Sequence, residues 1–295
     1  MTTPPGASRA CERVCFIGGA PHSGSTLLGM ILGAHPAVVY GGELRKSVFL
    51  GDASKPLKKR VCKLCGASCP VWGELSAPLE PDVYEVLARK TGRRIVVDSS
   101  KGTEWQREQL ARLAGTTTEK HLVVLERDGR AIVASRLRKD PTLSPPAIIE
   151  EWMAQIARTD ALALSFPGSV LRLHYEELAT DPVTQTRRVT ELLGVEFESS
   201  MLRFWEAEQH PLGGNDGTQF LVVRERSRRA LRPEAPAATR GDVLDLVDQN
   251  LAYYGPHPAG IVLDVRWRHE LTAEVLALFH RMAGEVNERF ARPAL

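Results

Sequence analysis

The amino-acid sequence predicts an α/β fold in which helices flank a parallel sheet of four to five strands. Short and wholly apolar runs recur along the chain, as they do in strands that helices cover on both faces. Helical patterns separate these runs, and strands that alternate with helices are typical of a parallel sheet. The first run leads into a glycine-bearing turn and a helix, which is the setting of a phosphate-binding loop, so a P-loop-type sheet is predicted.

The predicted elements follow one another in a regular order. The strands cover residues 13–17, 38–40, 94–98, 121–125 and 169–174. Helices are predicted after them, the longest over residues 145–164, and the helix that ends at 193 starts at Asp181 and Pro182, residue types that begin helices. A final helix has an apolar stripe that we interpret as core packing, formed by Leu271, Val275, Leu278, Met282, Val286 and Phe290.

Length and composition bound the class of protein. With 295 residues, 43% hydrophobic and 25% charged, the chain is of globular type, and we expect a single domain over residues 13–295. Residues 1–12 are expected to be a disordered tail without a secretory signal, and residues 51–81 a cysteine-bearing insertion. A net charge of +2 argues against a nucleic-acid partner, and no apolar run reaches the roughly 20 residues of a membrane span. We therefore expect a cytoplasmic protein, with a homodimer left open.

The stretch between the first strand and its helix is almost a nucleotide-binding loop. Gly19, four further residues and Gly24-Ser25-Thr26 match the pattern G-x4-G-K-[ST], except that Ser25 replaces the lysine. Backbone N–H groups at the start of the following helix point toward an anion, and the helix dipole favours negative charge there. The loop therefore predicts an anion site that works without the lysine of ATP-binding loops.

Three further polar clusters come directly after predicted strands. They are residues 43–45, 98–101 and 127–135. Because ligands of parallel sheets bind at the carboxyl ends of the strands, we expect these clusters and the loop to form one site.

Several stretches, in this order and with this spacing, resemble sulfotransferases that use 3′-phosphoadenosine-5′-phosphosulfate. GAPHSGSTLL at 19–28 resembles their 5′-phosphosulfate loop. LERDGRA at 125–131, continued to Ser135, resembles their 3′-phosphate motif, and RLHYEEL at 172–178 resembles their late strand and helix. The resemblance covers roughly residues 13–230 and implies the sulfotransferase fold.

Other stretches resemble particular branches of that family. DSSK at 98–101 and the insertion that ends in CPVW at 69–72 resemble the bacterial branch. GGELR at 41–45, preceded by His35-Pro36, resembles tyrosylprotein sulfotransferases, in which the glutamate acts as catalytic base.

The resemblance implies a site for each anion of the donor. Arg127 and Ser135 would hold the 3′-phosphate, and Tyr175 and Trp72 are candidates to stack on adenine or acceptor, unless they are plain core aromatics. A transferring sulfuryl group carries less charge than a phosphoryl group, so no metal is required. The residues that would hold the 5′-phosphosulfate are Pro21, His22, Ser23, Gly24, Ser25 and Thr26.

The resemblance also implies the groups that carry the chemistry. Glu43 would be the general base, and the alternative is a carboxylate that is merely paired with Arg45. Lys101 is expected to contact the sulfuryl group or the bridging oxygen, where negative charge grows. Arg45 would stabilise the same charge or hold Glu43. His22 departs from the family pattern of Lys or Arg, and a histidine is only partly charged near neutral pH.

Two regions stay open on sequence alone. Cys62, Cys65 and Cys69 have the spacing of metal ligands, but no histidine or cysteine lies nearby in the sequence as a fourth ligand, so we predict no metal and favour a disulfide or free thiols in a lid over the site. The Gly-, Arg- and Pro-rich stretch 207–241 is predicted to be a functional loop. Its candidates for closing over the 3′-phosphate are His210, Gly213, Gly214, Asn215, Arg224, Arg226, Arg228 and Arg229.

The expected function is sulfuryl transfer to a hydroxyl of an acceptor, which the sequence leaves open among a small molecule, a sugar or lipid, and a tyrosine. The alternative enzyme is a P-loop kinase or nucleotide hydrolase. It would need a Mg²⁺-binding carboxylate, for which Asp98 is available, but the missing loop lysine argues against it. A non-catalytic nucleotide-binding module is a third hypothesis, and the presence of Glu43, Arg45 and Lys101 argues against that one.

Overall fold

The five predicted strands form one parallel sheet in the computed structural model, which describes residues 9–229, 243–244, 246, 248–257 and 259–291. The order across the sheet is β2-β3-β1-β4-β5, and every neighbouring pair is parallel. The predicted α/β fold with four to five parallel strands is confirmed. The strands are β1 Arg13–Gly18, β2 Val38–Gly42, β3 Ile95–Asp98, β4 Glu119–Glu126 and β5 Ser169–His174.

Helices connect and cover these strands. The first group comprises α1 Ser25–Gly33, α2 Leu57–Arg60, α3 Val83–Thr91, α4 Thr103–Arg112, α5 Gly129–Lys139 and α6 Pro145–Leu164. The second comprises α7 Tyr175–Thr180, α8 Pro182–Leu192, α9 Asp216–Arg229, α10 Asp248–Tyr254, α11 Trp267–Glu270 and α12 Ala273–Asn287. Short 3-10 helices lie at Leu44–Phe49 and Ser199–Arg203. No helix within the described residues is both long and apolar enough to cross a membrane.

The main hydrophobic core lies around the central strands. The apolar residues of β1, β3 and β4 are buried because helices cover both faces of the sheet. A second apolar cluster lies between α5, α6 and α12, where Trp152 packs on Phe279 and Phe290 with ring centroids 5.6 and 5.5 Å apart. Helix α6 joins the two, because Leu162 belongs to the main core and Trp152 to the second cluster.

The apolar stripe predicted for the last helix packs in or against the second cluster except at Val286, since Leu271 and Phe290 are buried and Val275, Leu278 and Met282 are partly buried. The buried residues of α12 are Phe279, Ala283 and Asn287, whereas Val286 is exposed. Asn287 is buried because it caps α5: its Oδ1 accepts from the Gly129 N–H at 2.7 Å. A hydrophobic pattern could not show this polar contact.

The prediction of a disordered tail over residues 1–12 is wrong for residues 9–12. Arg9 pairs with Asp82 at 2.6 Å, and the Cys11 N–H donates to Glu85 at 3.1 Å. Cys11 is fully buried, so this short segment packs on the start of α3. Residues 1–8 lie outside the described residues.

Asp98, the last residue of β3, is a fully buried carboxylate that ties the strand to its surroundings. Its Oδ1 accepts from the backbone N–H groups of Leu44 and Ser100 at 3.2 and 2.8 Å. Its Oδ2 accepts from the Tyr84 hydroxyl at 3.0 Å and from the Trp105 indole N–H at 2.9 Å. Both oxygens are therefore used by donors from the protein itself.

We expect Asp98→Asn to lower the free energy of unfolding by roughly 2–4 kcal/mol, because the amide turns one acceptor into a donor that faces buried N–H and O–H groups. Urea denaturation of the full chain measures this. The control is Glu108→Gln, the same change from carboxylate to amide, since Glu108 is exposed and should change stability by less than about 0.5 kcal/mol. Equal losses in the two variants would contradict the role given to Asp98.

Candidate active site

A cavity of about 400 Å³ lies at the carboxyl ends of the strands. Its size is that of a small-molecule site. The structure brings together most of the residues that the sequence singled out, although Ser23 and Arg45 do not line the cavity. Those that do are Pro21, His22, Gly24, Ser25, Thr26, Glu43, Lys101, Arg127, Ser135 and Tyr175.

The loop before α1 has the shape of an anion-binding turn. His22 and Gly24 both have left-handed backbones, with φ of 68° and 95°, and α1 begins at Ser25. The Ser23 hydroxyl is buried and has no hydrogen-bond partner within the described structure. The Thr26 hydroxyl oxygen accepts from the Asn215 N–H at 2.8 Å. The loop thus presents the start of a buried helix to the cavity.

His22 lies at the centre of the loop's contacts. Its Nδ1 is 3.0 Å from the Ser135 hydroxyl, and its carbonyl accepts from Arg127 Nη1 at 2.8 Å. Burial, followed by the nearby cations Lys139 and Lys101, lowers the pKa of His22 to about 3. The imidazole is therefore neutral at neutral pH, rather than partly charged as the sequence suggested.

Arg127 is held from several sides. Its guanidinium lies 4.1 Å from the centre of the Tyr175 ring, and Nη2 donates to the Asp264 carbonyl at 3.2 Å. Its Nε is buried and has no hydrogen-bond partner among the described residues. Tyr175 thus supports Arg127, and its hydroxyl accepts from the Asp264 N–H at 3.0 Å.

The segment around Asp264 is a part of the site that sequence reasoning missed. Asp264 lies 137 residues after Arg127, in a stretch without a recognisable motif. Arg266 pairs with the Asp264 carboxylate at 2.8 Å and stacks on Tyr253 at 3.6 Å from the ring centre. Asp264, Arg266 and Tyr253 all line the cavity.

The loop predicted to close over the 3′-phosphate has a different role in the structure. Gly214 and Asn215 line the cavity, but Arg224 donates to the carbonyls of Tyr254 and Gly255, each at 2.6 Å. Arg226 donates to the Ala207 carbonyl at 2.6 Å. Both arginines thus hold backbone segments, and the side chains of Arg228 and Arg229 lie outside the described ones.

Glu43 lies between two lysines. Its Oε1 is 3.4 Å from Lys101 Nζ and its Oε2 is 3.0 Å from Lys46 Nζ. Burial alone raises the pKa of this carboxyl, but Lys101 and Lys46 outweigh it and lower the pKa to about 2. The alternative pairing with Arg45 is not the one that the structure shows, since the ion pairs of Glu43 within the described residues are with Lys46, which the 3-10 turn brings back to it, and with Lys101.

Comparison with known proteins agrees with this geometry. A family model described as the sulfotransferase family matches residues 15–199, which is more than half of the chain. The chain belongs to the sulfotransferase family. Membership identifies it as an enzyme and confirms the resemblance found in the sequence.

Individual relatives of this sulfotransferase are distant. A putative protein-tyrosine sulfotransferase of Caenorhabditis briggsae is 25% identical over 66% of this chain and 70% of its own length. Protein-tyrosine sulfotransferase 2 of Gallus gallus is 24% identical over 84% of this chain and 69% of its own. The sulfotransferase domain of the Synechococcus PCC 7002 olefin synthase covers all of both chains, with a TM-score of 0.60 and 20% identity, and so shares the fold.

Asp98 is not available to a metal in this sulfotransferase. Each of its oxygens accepts two hydrogen bonds from protein donors, among them Ser100 at 2.8 Å and Trp105 at 2.9 Å. A Mg²⁺ ion would have to displace these buried contacts. The kinase alternative therefore loses the one carboxylate that the sequence offered it.

The cysteines of the insertion are free thiols, which is one of the two alternatives predicted for them, and none of the five cysteines forms a disulfide. The expected lack of a fourth ligand is wrong, because His210 lies against Cys65 and Cys69 at 3.2 and 3.4 Å. Trp72 is buried beside them, donates to the His210 carbonyl at 2.5 Å, and does not line the cavity.

The pKa of Glu43 predicts how stability depends on pH. A carboxyl whose folded-state pKa lies below its unfolded value stabilises the protein above that unfolded value, about 4.5, and loses this contribution as the pH falls toward 2. The stability advantage of the parent over Glu43→Gln should therefore shrink by roughly 2 kcal/mol between pH 7 and pH 3.

Urea denaturation at a series of pH values measures this difference. Glu104→Gln is the matched control, because Glu104 is exposed and its variant should differ from the parent by the same small amount at every pH. An advantage for Glu43 that does not change between pH 7 and pH 3 would contradict the lysine pairing.

Proposed function

We propose that the protein transfers a sulfuryl group from 3′-phosphoadenosine-5′-phosphosulfate to a hydroxyl group of an acceptor. The observation that carries this proposal is the meeting of four strand-end segments in one cavity. The phosphate-type loop, Glu43, Lys101 and the Arg127–Ser135 pair all line it.

The residues present fit the two anions of this donor. The start of α1, where Ser25 and Thr26 line the cavity, suits the 5′-phosphosulfate, because backbone N–H groups and hydroxyls bind an anion without a lysine. The buried Nε of Arg127, which has no partner in the described structure, and the Ser135 hydroxyl suit the 3′-phosphate. Tyr253 and Tyr254 line the same cavity and offer aromatic surface to adenine.

When bound, the donor supplies the sulfuryl group. Glu43 takes the proton of the acceptor hydroxyl as that oxygen bonds to sulfur. Lys101 stabilises the negative charge that develops on the bridging oxygen as the bond between it and sulfur breaks. The proton therefore moves to a carboxylate and the new negative charge lies beside an ammonium.

The pairing of Glu43 with Lys101 links donor binding to basicity. Without donor, the two lysines hold the pKa of Glu43 at about 2, which makes the carboxylate a weak base. An anion that pairs with Lys101 weakens its pull on Glu43, so the pKa of the carboxyl rises toward its ordinary value. Glu43 thus becomes a stronger base once the donor is in place.

His22 is the rival for the role of base. Burial is the main cause that lowers the pKa of His22 to about 3, and an anionic donor does not reverse burial, whereas it does weaken the pull of Lys101 on Glu43. The Nδ1 of His22 is also already engaged with Ser135. Its carbonyl is fixed by Arg127. We therefore assign His22 to the loop that binds the leaving phosphosulfate, where a neutral imidazole can donate one hydrogen bond.

The acceptor is a hydroxyl compound in this proposal. Two relatives are named protein-tyrosine sulfotransferases, which favours a phenolic hydroxyl. A small molecule and a sugar or lipid are the other acceptor classes to assay. A cytoplasmic location, a homodimer and the absence of a required metal stay predictions.

Thermal unfolding with nucleotides tests the donor. Adenosine 3′,5′-bisphosphate should raise the melting temperature, because a ligand that binds only the folded state stabilises it. ATP with Mg²⁺ should have a much smaller effect. Stabilisation by ATP–Mg²⁺ alone would exclude this donor.

Arg127→Ala should weaken the binding of adenosine 3′,5′-bisphosphate roughly tenfold to a hundredfold, since a buried charge-assisted contact is worth about 1.5–3 kcal/mol. Calorimetry measures this. Affinity for adenosine 5′-phosphosulfate, which has no 3′-phosphate, should change little. Arg130→Ala is the matched control, because Arg130 lies three residues further on in the first turn of α5, pairs with Asp128, stacks on Trp267 and does not line the cavity. Unchanged affinity in Arg127→Ala would remove Arg127 from the 3′-phosphate site.

Glu43→Gln should lower turnover by about 10²–10⁴, the usual range for general acid–base catalysis, and leave the affinity for adenosine 3′,5′-bisphosphate nearly unchanged. The amide keeps the size of the side chain but cannot accept a proton. Turnover with labelled donor and bisphosphate affinity are measured for Glu43→Gln and for His22→Asn. Near-normal turnover of Glu43→Gln, with a large loss in His22→Asn, would transfer the role to His22.

A further inference from the structure

Three cysteines and one histidine converge outside the catalytic cavity. Cys62, Cys65 and Cys69 come from the insertion, and His210 comes from the segment before α9. The three sulfur atoms and one ring nitrogen all lie within 4.8 Å of one another. Cys62 and Cys69 are buried, whereas Cys65 and His210 are partly buried.

The distances match a tetrahedral ligand set. Four ligands at about 2.0–2.3 Å from a tetrahedral zinc ion lie roughly 3.3–3.8 Å from one another. His210 Nδ1 is 3.2 Å from Cys65 Sγ and 3.4 Å from Cys69 Sγ. These two distances are thus within a few tenths of an ångström of that range, and all other pairs of the four donor atoms lie within 4.8 Å of one another.

The backbone between the first two cysteines is already folded for a metal. The Leu64 N–H points at Cys62 Sγ at 3.4 Å, and the Gly66 N–H donates to the Cys62 carbonyl at 3.0 Å. Gly66, directly after Cys65, has the left-handed φ of 73° that this turn needs. The Cys-x2-Cys-Gly stretch thus forms a tight turn, in which both sulfurs lie on the same side.

A carboxylate orients the ring of His210 from the side that faces away from the cysteines. Its Nδ1 faces the sulfurs, and its Nε2 is 3.2 Å from the Glu208 carboxylate. A carboxylate on the second ring nitrogen fixes the tautomer and raises the basicity of a metal-binding histidine. The Trp72 indole N–H fixes the backbone by donating to the His210 carbonyl at 2.5 Å.

We propose that Cys62, Cys65, Cys69 and His210 bind one structural Zn²⁺ ion. Three thiolates and one imidazole are a ligand set of structural zinc sites, and soft sulfur ligands favour zinc over Mg²⁺ or Ca²⁺. All four positions are taken by protein ligands, so the ion has no open position for catalysis. The proposal does not depend on the identity of the sulfuryl donor.

The segment that this ion would fix also forms hydrogen bonds with the backbone at Glu43. Just past His210, the Pro211 carbonyl accepts from Lys63 at 3.0 Å. Leu212 accepts from the Glu43 N–H at 2.6 Å and donates to Gly41 at 2.9 Å. The ion would therefore connect the insertion to the backbone that positions Glu43.

Metal analysis of the full chain, purified without a polyhistidine tag, tests the proposal. After incubation with Zn²⁺ and dialysis, we expect about one zinc per chain. Replacement by Co²⁺ should give the visible absorption of a tetrahedral cobalt–thiolate centre. Chelation of the zinc should lower the melting temperature, and Zn²⁺ should restore it. A chain that holds well under one zinc, holds iron instead, or shows a disulfide among these cysteines by mass spectrometry would overturn the proposal.

Variants locate the ion. Cys69→Ser and His210→Asn should each lose the zinc and the cobalt spectrum, whereas Cys11→Ser and His269→Asn, which change the same residue types away from the cluster, should keep both. If a ligand variant fails to fold, the metal content of the parent chain still decides. Zinc retained by both ligand variants at the level of the parent would overturn the assignment of these ligands.

Discussion

The active site depends on one buried charge. Asp98 is fully buried at the end of β3, and four protein donors satisfy its two oxygens. Through Leu44 and Ser100 this carboxylate joins the turns that carry Glu43 and Lys101. The side chains of these two residues form an ion pair of 3.4 Å. A buried carboxylate is stable only when its acceptors are filled, so the donors around it must hold their places. This requirement helps to fix the relative position of Glu43 and Lys101, together with the hydrogen bonds from Ser99 to Gly42 and from Arg45 to Ser100.

Positive charge dominates the cavity around this pair. Lys101, Arg127, Arg138, Lys139 and Arg266 line it within the described residues. Nearby lysines lower the pKa of Glu43 and keep it ionised, whereas His22 is kept neutral by burial first and by the cations second. A cavity of this kind suits a ligand with several negative charges.

The fold and much of the site could be predicted because their signals are local. A buried parallel strand is a short apolar run, and the residue after it lies at the edge where ligands bind, so Glu43, Lys101 and Arg127 could be found from position alone. Contacts between distant segments left no such signal. Asp264 meets Arg127, and His210 meets Cys65, across 137 and 145 residues. The burial of Asn287 could not be predicted because it depends on a polar contact, the hydrogen bond that caps α5. The pairing of Lys46 with Glu43 could not be predicted because only the 3-10 turn brings the two side chains together.

Gly42, directly before Glu43, connects the edge of the sheet to the proposed base. Leu212 pairs with Gly42 as a short continuation of the sheet beyond β2. A Cβ atom at Gly42, which has φ of 82°, would collide with the Leu212 backbone, so a side chain there would push the two segments apart. The close approach lets the Glu43 N–H donate to the Leu212 carbonyl at 2.6 Å. Leu212 itself follows His210, a member of the cysteine–histidine cluster, by two residues. The backbone of Glu43, the proposed base, is thus held from inside the sheet by Asp98 through Leu44, and from outside it by a segment that follows the cluster.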